Sequence, residues 1–256
     1  MAKEAMVTAE TLRFFRELGR NNRKEWMDEN RERYRAHVVE PLRRLFEALA
    51  PGMRKLHKGF ALGGRSGENF SRINRDIRFA NDKTPYYTHM YLFFSSIASR
   101  GATRGPERAR GGMTASRGKS KAGQRRGDGQ LYVGISADAA TVGFRIYATS
   151  AESALRRLGA PRAAENLDWL ARQRAKLGRR YDGYWYSIEK GEWTKHPGWP
   201  RDAKEWKRAK GWIIRRRFAG SAAARGGFAG EAEKVFREIF PLYSFCCLDD
   251  WKRNKR

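Results

Sequence analysis

Residues 131–136 read Leu-Tyr-Val-Gly-Ile-Ser, and residues 142–147 read Val-Gly-Phe-Arg-Ile-Tyr. Both segments are rich in the β-branched and aromatic residues that strands favour. The small and polar residues at 137–140, which lie between them, are typical of a turn. The pair therefore predicts a β-hairpin. A hairpin indicates an antiparallel or mixed sheet, because parallel neighbours need a long crossover connection.

Predicted helices lie on both sides of this hairpin in the sequence. Spacing of the apolar residues and cap signals predict helices at 8–19, 22–49, 152–177 and 230–245. Further strand candidates lie at 70–77, 91–97, 184–188 and 212–217. Together these elements predict a single α+β domain over residues 1–256, with N-terminal helices packed on a mixed or antiparallel sheet.

The ends of the N-terminal helices can be predicted from individual residues. Thr8 is a candidate N-cap for the first helix. Asn22 and Glu25 have the spacing of a capping box that would open the second helix. We expect Pro41 to kink or split the second helix, and Pro51-Gly52 to end it.

The chain is strongly basic. Its 256 residues carry a formal net charge of +26, with a pI near 10.7. Such an excess predicts attraction to polyanions such as nucleic acid, to acidic lipid surfaces or to phosphorylated metabolites. A proteome that is basic throughout would produce the same excess, and the sequence leaves both explanations open.

The cysteines and histidines indicate neither a disulfide nor a metal site. The two cysteines, Cys246 and Cys247, are adjacent, and adjacent cysteines rarely form a relaxed disulfide. The four histidines are scattered, so we predict no metal site and no cofactor. The chain has no apolar run of about 18 residues and no apolar segment at its N-terminus. These features predict a cytoplasmic protein without a membrane partner.

Residues 100–130 interrupt the pattern of helices and strands. The segment is rich in glycine and arginine and has almost no aliphatic residues, so it predicts a flexible basic insertion within the domain. It is either an arm that contacts RNA or DNA or an insertion without a role. Its candidate nucleic-acid contacts are Arg104, Arg108, Arg110, Arg125 and Arg126.

A second basic region lies between Trp185 and Trp212 and continues to Arg215 and Arg216. It holds five of the chain's eight tryptophans, among lysines and arginines. Exposed rings among cations would stack on the bases of single-stranded nucleic acid. The alternative is that the rings cap the core and the charges lie outside it. Cys246 and Cys247 are interpreted as small core residues.

The densest cluster of charge is Arg-Ile-Asn-Arg-Asp-Ile-Arg-Phe-Ala-Asn-Asp-Lys-Thr-Pro-Tyr at residues 72–86, which we call the motif segment. Ile73, Ile77 and Phe79 interrupt the charges and are expected to be buried. If the chain is extended here, Arg72, Asn74, Asp76 and Arg78 share one face and Arg75 lies on the other. Charge held this close to a core must be paired or must meet a ligand.

Three interpretations of the motif segment stay open: an anion-binding or catalytic pocket, a structural ion-pair network, and a surface for nucleic-acid phosphates. In the first, an anionic small molecule carrying phosphate or carboxylate is the predicted partner. The candidate substrate-binding residues are Arg72, Arg75, Arg78 and His89. The candidate catalytic residues are Asp76, Asp82, Lys83 and Tyr86. The sequence names no reaction, because phosphate-loop, hydrolase-elbow and zinc-protease patterns are all absent.

At this segment the chain resembles the bacterial conserved hypothetical proteins grouped as domain of unknown function 2461, which also occur within some fungal proteins. The resemblance is carried by Arg72, Arg75, Asp76, Arg78, Phe79, Asp82, Lys83 and Tyr86. It extends to Phe14, Phe15, Leu18, Asn21, Asn22, Trp26, Tyr34, Pro41, the strand pair at 131–147 and Arg156. The resemblance implies that the motif segment is the family's site. It implies no activity, because the family has none established.

Overall fold

The computed structural model describes residues 5–96, 129–148 and 150–254. Most of the predicted insertion at 100–130 lies outside these residues, together with its five candidate contacts, Arg104, Arg108, Arg110, Arg125 and Arg126.

The described strands form one antiparallel sheet. They are β1 (His89–Phe94), β2 (Gly129–Ser136), β3 (Ala139–Tyr147), β4 (Asp182–Glu189), β5 (Glu192–Pro197) and β6 (Gly211–Ala219). Their order across the sheet is β1-β2-β3-β6-β4-β5. The predicted hairpin is confirmed as β2–β3, with Ile135 opposite Ala140. The edge strand β5 was not predicted.

The helices surround one side of this sheet. They are α1 (Ala9–Arg20), α2 (Lys24–Glu29), α3 (Arg31–Tyr34), α4 (Glu40–Leu56), α5 (Ala160–Glu165), α6 (Leu167–Leu177), α7 (Ala203–Arg208), α8 (Gly220–Ala223) and α9 (Phe228–Cys247). Two π-helical turns precede α4 and α5, at Arg35–Val39 and Leu155–Gly159. The predicted α+β architecture is confirmed.

The core lies between the sheet and these helices. Phe94 of β1 packs edge to face on Phe236 of α9, with ring centroids 5.9 Å apart. Phe144 of β3 does the same with Tyr243 of α9, at 5.7 Å. On β6, Trp212 contacts the rings of Trp199 and Trp206 at 4.9 and 4.8 Å. Large rings on both sides of the interface account for much of the buried apolar surface.

Of the predictions about the N-terminal helices, one is corrected and one is confirmed. Pro51-Gly52 does not end α4, which continues to Leu56. Met53, in that last turn, is fully buried, and its packing outweighs the hydrogen bond that the proline removes. The predicted cap at Thr8 is confirmed, because its side chain accepts from the N–H of Thr11. A π-helical turn at Arg35–Val39 lies directly before Pro41, where a kink or break was expected.

The strand predicted at 70–77 is wrong. The segment is irregular and takes part in three isolated bridges, Phe70 with Leu92, Phe70 with Ser66 and Asn74 with Tyr86. The chain follows the outer edge of β1 as far as Ser71, whose N–H donates to Tyr91 O at 2.9 Å. It then leaves the sheet and pairs with its own continuation. The outer edge of β1 is thereby covered, which prevents edge-to-edge association.

Candidate functional site

The motif segment folds back on itself as a short two-stranded ribbon. Arg75 N donates to Pro85 O and Tyr87 N donates to Ile73 O, both at 2.8 Å. Asn74 and Tyr86 are paired between these two bonds. Because successive residues of a strand alternate between faces, Arg75 and Tyr87 share one face of the ribbon, opposite to Asn74 and Tyr86. The Arg75 guanidinium accordingly lies 5.7 Å from the centroid of the Tyr87 ring.

Arg75 closes the loop formed by residues 76–83, which we call the motif loop. Its Nη1 donates to Asp82 Oδ2 at 2.5 Å, to Thr84 O at 3.1 Å and to the Thr84 hydroxyl. Asp82 in turn accepts from Thr84 N at 2.9 Å and from Thr84 Oγ1 at 2.8 Å. These three residues, Arg75, Asp82 and Thr84, form a clasp at the base of the loop. The Arg75 side chain is 19% exposed, so the clasp is partly screened from water.

The clasp favours the ionised form of Asp82. Hydrogen bonds from the Thr84 amide and hydroxyl and from Arg75 lower the pKa of this carboxyl to about 2. A general acid or base works best when its pKa lies near the working pH. The geometry around Asp82 thus favours a positioning role over proton transfer near neutral pH, and the catalytic role assigned to it stays a prediction.

We expect the clasp to open in acid. A carboxyl whose pKa is lowered by folding stabilises the folded loop above its unfolded value of 3.8, and this contribution is lost as the pH falls toward 2. A carboxyl carbon titration followed by NMR should give a midpoint for Asp82 near 2. Thr84→Val removes the hydroxyl donor, keeps the amide, and should move the midpoint part of the way back toward 3.8. A midpoint near 4 in both proteins would contradict the clasp.

The tip of the motif loop exposes three groups. Arg78 makes a two-pronged ion pair with Asp76, from Nε to Oδ1 at 2.9 Å and from Nη2 to Oδ2 at 2.8 Å, while its side chain is 74% exposed. Lys83 Nζ donates to Ile77 O at 3.2 Å. Phe79, expected to be buried, is 60% exposed, because the chain turns at 78–79 and carries its ring away from the core.

Tyr86 lies on the other side of the ribbon and is anchored to the N-terminal helices. The Asn22 side chain donates to Tyr86 O at 2.9 Å and accepts from Tyr86 N at 3.0 Å. This explains why the predicted capping box is wrong: Arg23 is the N-cap of α2, and the Asn22 amide is engaged by the motif segment. Burial raises the pKa of the Tyr86 phenol, while a hydrogen bond with Arg31 acts in the opposite direction.

Comparison with known proteins gives the family. A family model described as conserved hypothetical protein (DUF2461) matches residues 10–245, which is nearly the whole chain. The chain belongs to the DUF2461 family. A search of curated proteins and a search of solved structures found no match. Membership of DUF2461 confirms the resemblance carried by the motif segment, and it assigns no reaction.

The remaining candidate residues lie around the ribbon and the sheet. Arg72 is exposed and makes no ion pair within the described part of the chain. His89 begins β1, with its ring 5.4 Å from Tyr87 and 5.0 Å from Tyr91. Six of the eight candidate residues therefore fall into three groups rather than one pocket: Arg75 and Asp82 in the clasp, Asp76, Arg78 and Lys83 at the loop tip, and Tyr86 on the opposite face of the ribbon. Arg72 and His89 belong to none of these groups.

Arg215 and Arg216 point to opposite sides of β6. Arg215 donates to Asp182 at 3.0 Å and lies 5.1 Å from the Tyr184 ring. Arg216 lies 3.7 Å from Glu231 of α9. Of the five tryptophans of this region, Trp185, Trp199, Trp206 and Trp212 are buried, which confirms the core interpretation for them. Cys246 and Cys247 are likewise buried free thiols.

Within residues 5–96, 129–148 and 150–254, no group of three or more His, Cys, Asp or Glu side chains could hold a metal ion. The same residues include no helix that is long and apolar enough to cross a membrane.

Sequence reasoning missed Thr84 and Asn69. Thr84 supplies two of the hydrogen bonds that hold Asp82, and its place two residues after an aspartate is a signal for such a turn. Asn69 is fully buried and bonds Gly64, Ala61 and Phe93, which fixes the loop along the edge of β1. A lone asparagine in a glycine-rich loop gives no sequence signal for that role.

Proposed function

We propose that the protein binds an anionic small molecule, carrying phosphate or carboxylate, at the tip of the motif loop. Arg78 and Lys83 would contact the anion, with Arg72 and His89 as further candidates beside the ribbon. Arg75 and Asp82 would act as positioning residues, because Nη1 of Arg75 and both carboxylate oxygens of Asp82 are already hydrogen-bonded within the clasp.

One observation carries the proposal: the exposed cations Arg78 and Lys83 lie on the motif loop, whose base is held together by the clasp. The Arg78 guanidinium is oriented by Asp76 through two bonds and remains 74% exposed, so its outer edge is accessible to a ligand. Arginine forks match the two oxygens of phosphate or carboxylate. A loop fixed before binding loses less entropy when the ligand arrives.

For an enzymatic role, the group that transfers a proton must lie beside the bound anion. Asp76 and Lys83 are exposed and adjacent to where the anion would sit, so they are the candidates for proton transfer. Asp82 is engaged in the clasp and Tyr86 lies beneath the ribbon, so their catalytic roles draw less support. We also propose a cytoplasmic location, with which two cysteines that form no disulfide agree.

We expect Arg78→Gln to weaken anion binding by about ten-fold or more, since a charge-assisted hydrogen bond is worth about 1.5–3 kcal/mol. Calorimetry with inorganic phosphate, pyrophosphate and citrate would measure the affinity. Arg43→Gln is the matched control, because Arg43 and Glu40 form a comparably exposed ion pair on α4. The proposal is wrong if the wild type binds none of these probes, or if Arg78→Gln and Arg43→Gln bind them equally.

A second candidate function is nucleic-acid binding, predicted for Arg215, Arg216 and the arginines at 104, 108, 110, 125 and 126. One observation favours it for Arg215, whose guanidinium lies against Tyr184 on the side of the sheet away from α9. Arg216 draws no such support, because it is paired with α9. Salt dependence of RNA binding tests this candidate, since contacts to phosphate weaken steeply with salt.

A further inference from the structure

One face of the sheet is lined by rings and cations, and it is the face opposite α9. The pairing register places Tyr91 opposite Gly134, Tyr132 opposite Gly143, and Arg145 opposite Ile213. Across β6 and β4, the same side continues with Arg215 opposite Asp182 and Tyr184 opposite Ile213. We call this the tyrosine face; on β4, β5 and β6 it also carries Tyr186, Trp193, Lys195 and Arg217.

Cations on the tyrosine face lie against its rings. The Arg145 guanidinium is 4.4 Å from the centroid of Tyr91 and 5.0 Å from that of Tyr132. On the other half of the sheet, Lys195 Nζ is 4.1 Å from the Tyr184 ring, and the Arg215 guanidinium is 5.1 Å from the same ring. Cation–ring attraction restricts Lys195 and Arg215, so their positive charges are positioned in advance of any ligand. Arg145 also donates to Gln130 Oε1 at 2.9 Å and lies against Tyr132, which is only 4% exposed, so we assign no ligand contact to it.

A second group of rings lies beside these cations. Trp193 of the edge strand β5 contacts Tyr186 at 5.7 Å and Tyr147 at 6.5 Å, in both cases edge to face. Trp193 is half-buried, and Lys195, two residues along the same strand, is exposed. The face therefore combines held cations with a partly exposed aromatic edge.

Glycines allow the rings to lie across the strands. A Cβ on Gly134 would come within 2.5 Å of the Tyr91 ring, and one on Gly211 within 2.7 Å of the Tyr147 ring. With only hydrogen at these positions, the rings lean over the backbone of the neighbouring strand. The rings of the tyrosine face are thus held close to the surface of the sheet.

The charge of the tyrosine face suits a polyanion. On β5 and β6 its cations are Lys195, Arg215 and Arg217, and its acidic member is Asp182, which pairs with Arg215. These cations occupy β5 and β6, which are separated by β4, so they spread over two strand spacings of about 4.8 Å each. A single small anion would not reach all of them, whereas a chain of phosphates would.

We infer that the tyrosine face binds single-stranded nucleic acid, with Lys195 and Arg215 on the phosphates and Trp193 stacking on a base. This inference rests on the second candidate function and is independent of the motif loop. Rings beside a row of cations select a single strand, because its bases are free to stack, while those of a duplex are already paired. A polyanion without bases would use the cations alone.

Two variants of β5 test the inference on the full chain, with a fluorescent twelve-nucleotide uridine RNA as probe. Trp193→Ala should weaken binding by about five-fold or more, the lower end of the range for one stacked base, with little change in the salt slope. Lys195→Gln should weaken binding and reduce the slope of log affinity against log salt by about 0.7, the value for one phosphate contact to a single strand.

Matched controls lie elsewhere on the surface. Phe79→Ala removes an exposed ring from the motif loop, and Lys55→Gln removes an exposed lysine from α4. Both should bind the RNA as the wild type does, and a duplex of the same length should bind more weakly than the single strand. If the wild type binds no RNA, the second candidate function fails along with the inference. If it binds but Trp193→Ala and Lys195→Gln bind equally well, nucleic-acid binding stands and its assignment to the tyrosine face is wrong.

Discussion

Replacing Gly143 with alanine is expected to destabilise the protein by about 3 kcal/mol, at the upper end of the usual cost of overpacking. Gly143 lies at the centre of the sheet, on β3 opposite Arg215 of β6. A Cβ at this position would come within 2.3 Å of Ile214 O and 2.9 Å of Arg215 Cα. Both are backbone atoms that no rotamer change can move. The two strands would have to separate, at the expense of their pairing and of the rings packed beneath.

Gly230→Ala is the matched control for this prediction. Gly230 lies in the first turn of α9, and a Cβ there would meet nothing within 4 Å. The same substitution should therefore stabilise the protein by about 0.5–1 kcal/mol, because alanine favours a helix over glycine. Urea unfolding of the two variants and the wild type measures both effects. Equal stabilities for the two variants would contradict the close packing of β3 against β6.

The main elements of the fold could be predicted because they follow local patterns. The β2–β3 hairpin and α9 carry periodic apolar residues, and the structure places them close to the predicted positions. The strand β5 was missed because it lies at the edge of the sheet and its sequence, Glu-Trp-Thr-Lys-His-Pro, shows no alternation of apolar and polar residues. The strand at 70–77 was wrong because a short ribbon produces the same alternation of exposed and buried residues.

The candidate site was harder to predict because its contacts join distant parts of the chain. The pairing of Asp76 with Arg78 is local and follows from extended geometry, so it could be expected. The clasp between Arg75 and Asp82 requires the loop to reverse direction, and the anchoring of Tyr86 requires Asn22. Neither partner can be identified from residue type alone, because many asparagines and aspartates in the chain would fit equally well.

Long-range contacts of this kind also decide stability at the C-terminal end of the fold. Arg162 of α5 donates from Nη1 to Phe245 O at 2.8 Å and to Leu248 O at 2.7 Å, and its side chain is 16% exposed. Phe245 is in the last turn of α9, where carbonyls have no partner within the helix. The positive charge also interacts favourably with the negative end of the helix dipole. Arg162 thus joins α5 to the end of the helix that covers the sheet.

Arg162→Ala is expected to lower the free energy of unfolding by about 2–4 kcal/mol, because two partly buried carbonyls lose a charged donor at once. Arg162→Lys keeps the charge but lacks the planar fork, so it should recover only part of this loss. Arg172→Ala is the control: it also replaces an arginine with alanine, but at an exposed position on α6. It should change stability by less than about 0.5 kcal/mol. Urea unfolding followed by tryptophan fluorescence suits the measurement, since Trp169 and Trp251 pack against Phe245 at 4.9 Å. If Arg162→Ala is no less stable than Arg172→Ala, the end of α9 must be satisfied in another way, and the proposed role of Arg162 in fastening α9 to α5 is wrong.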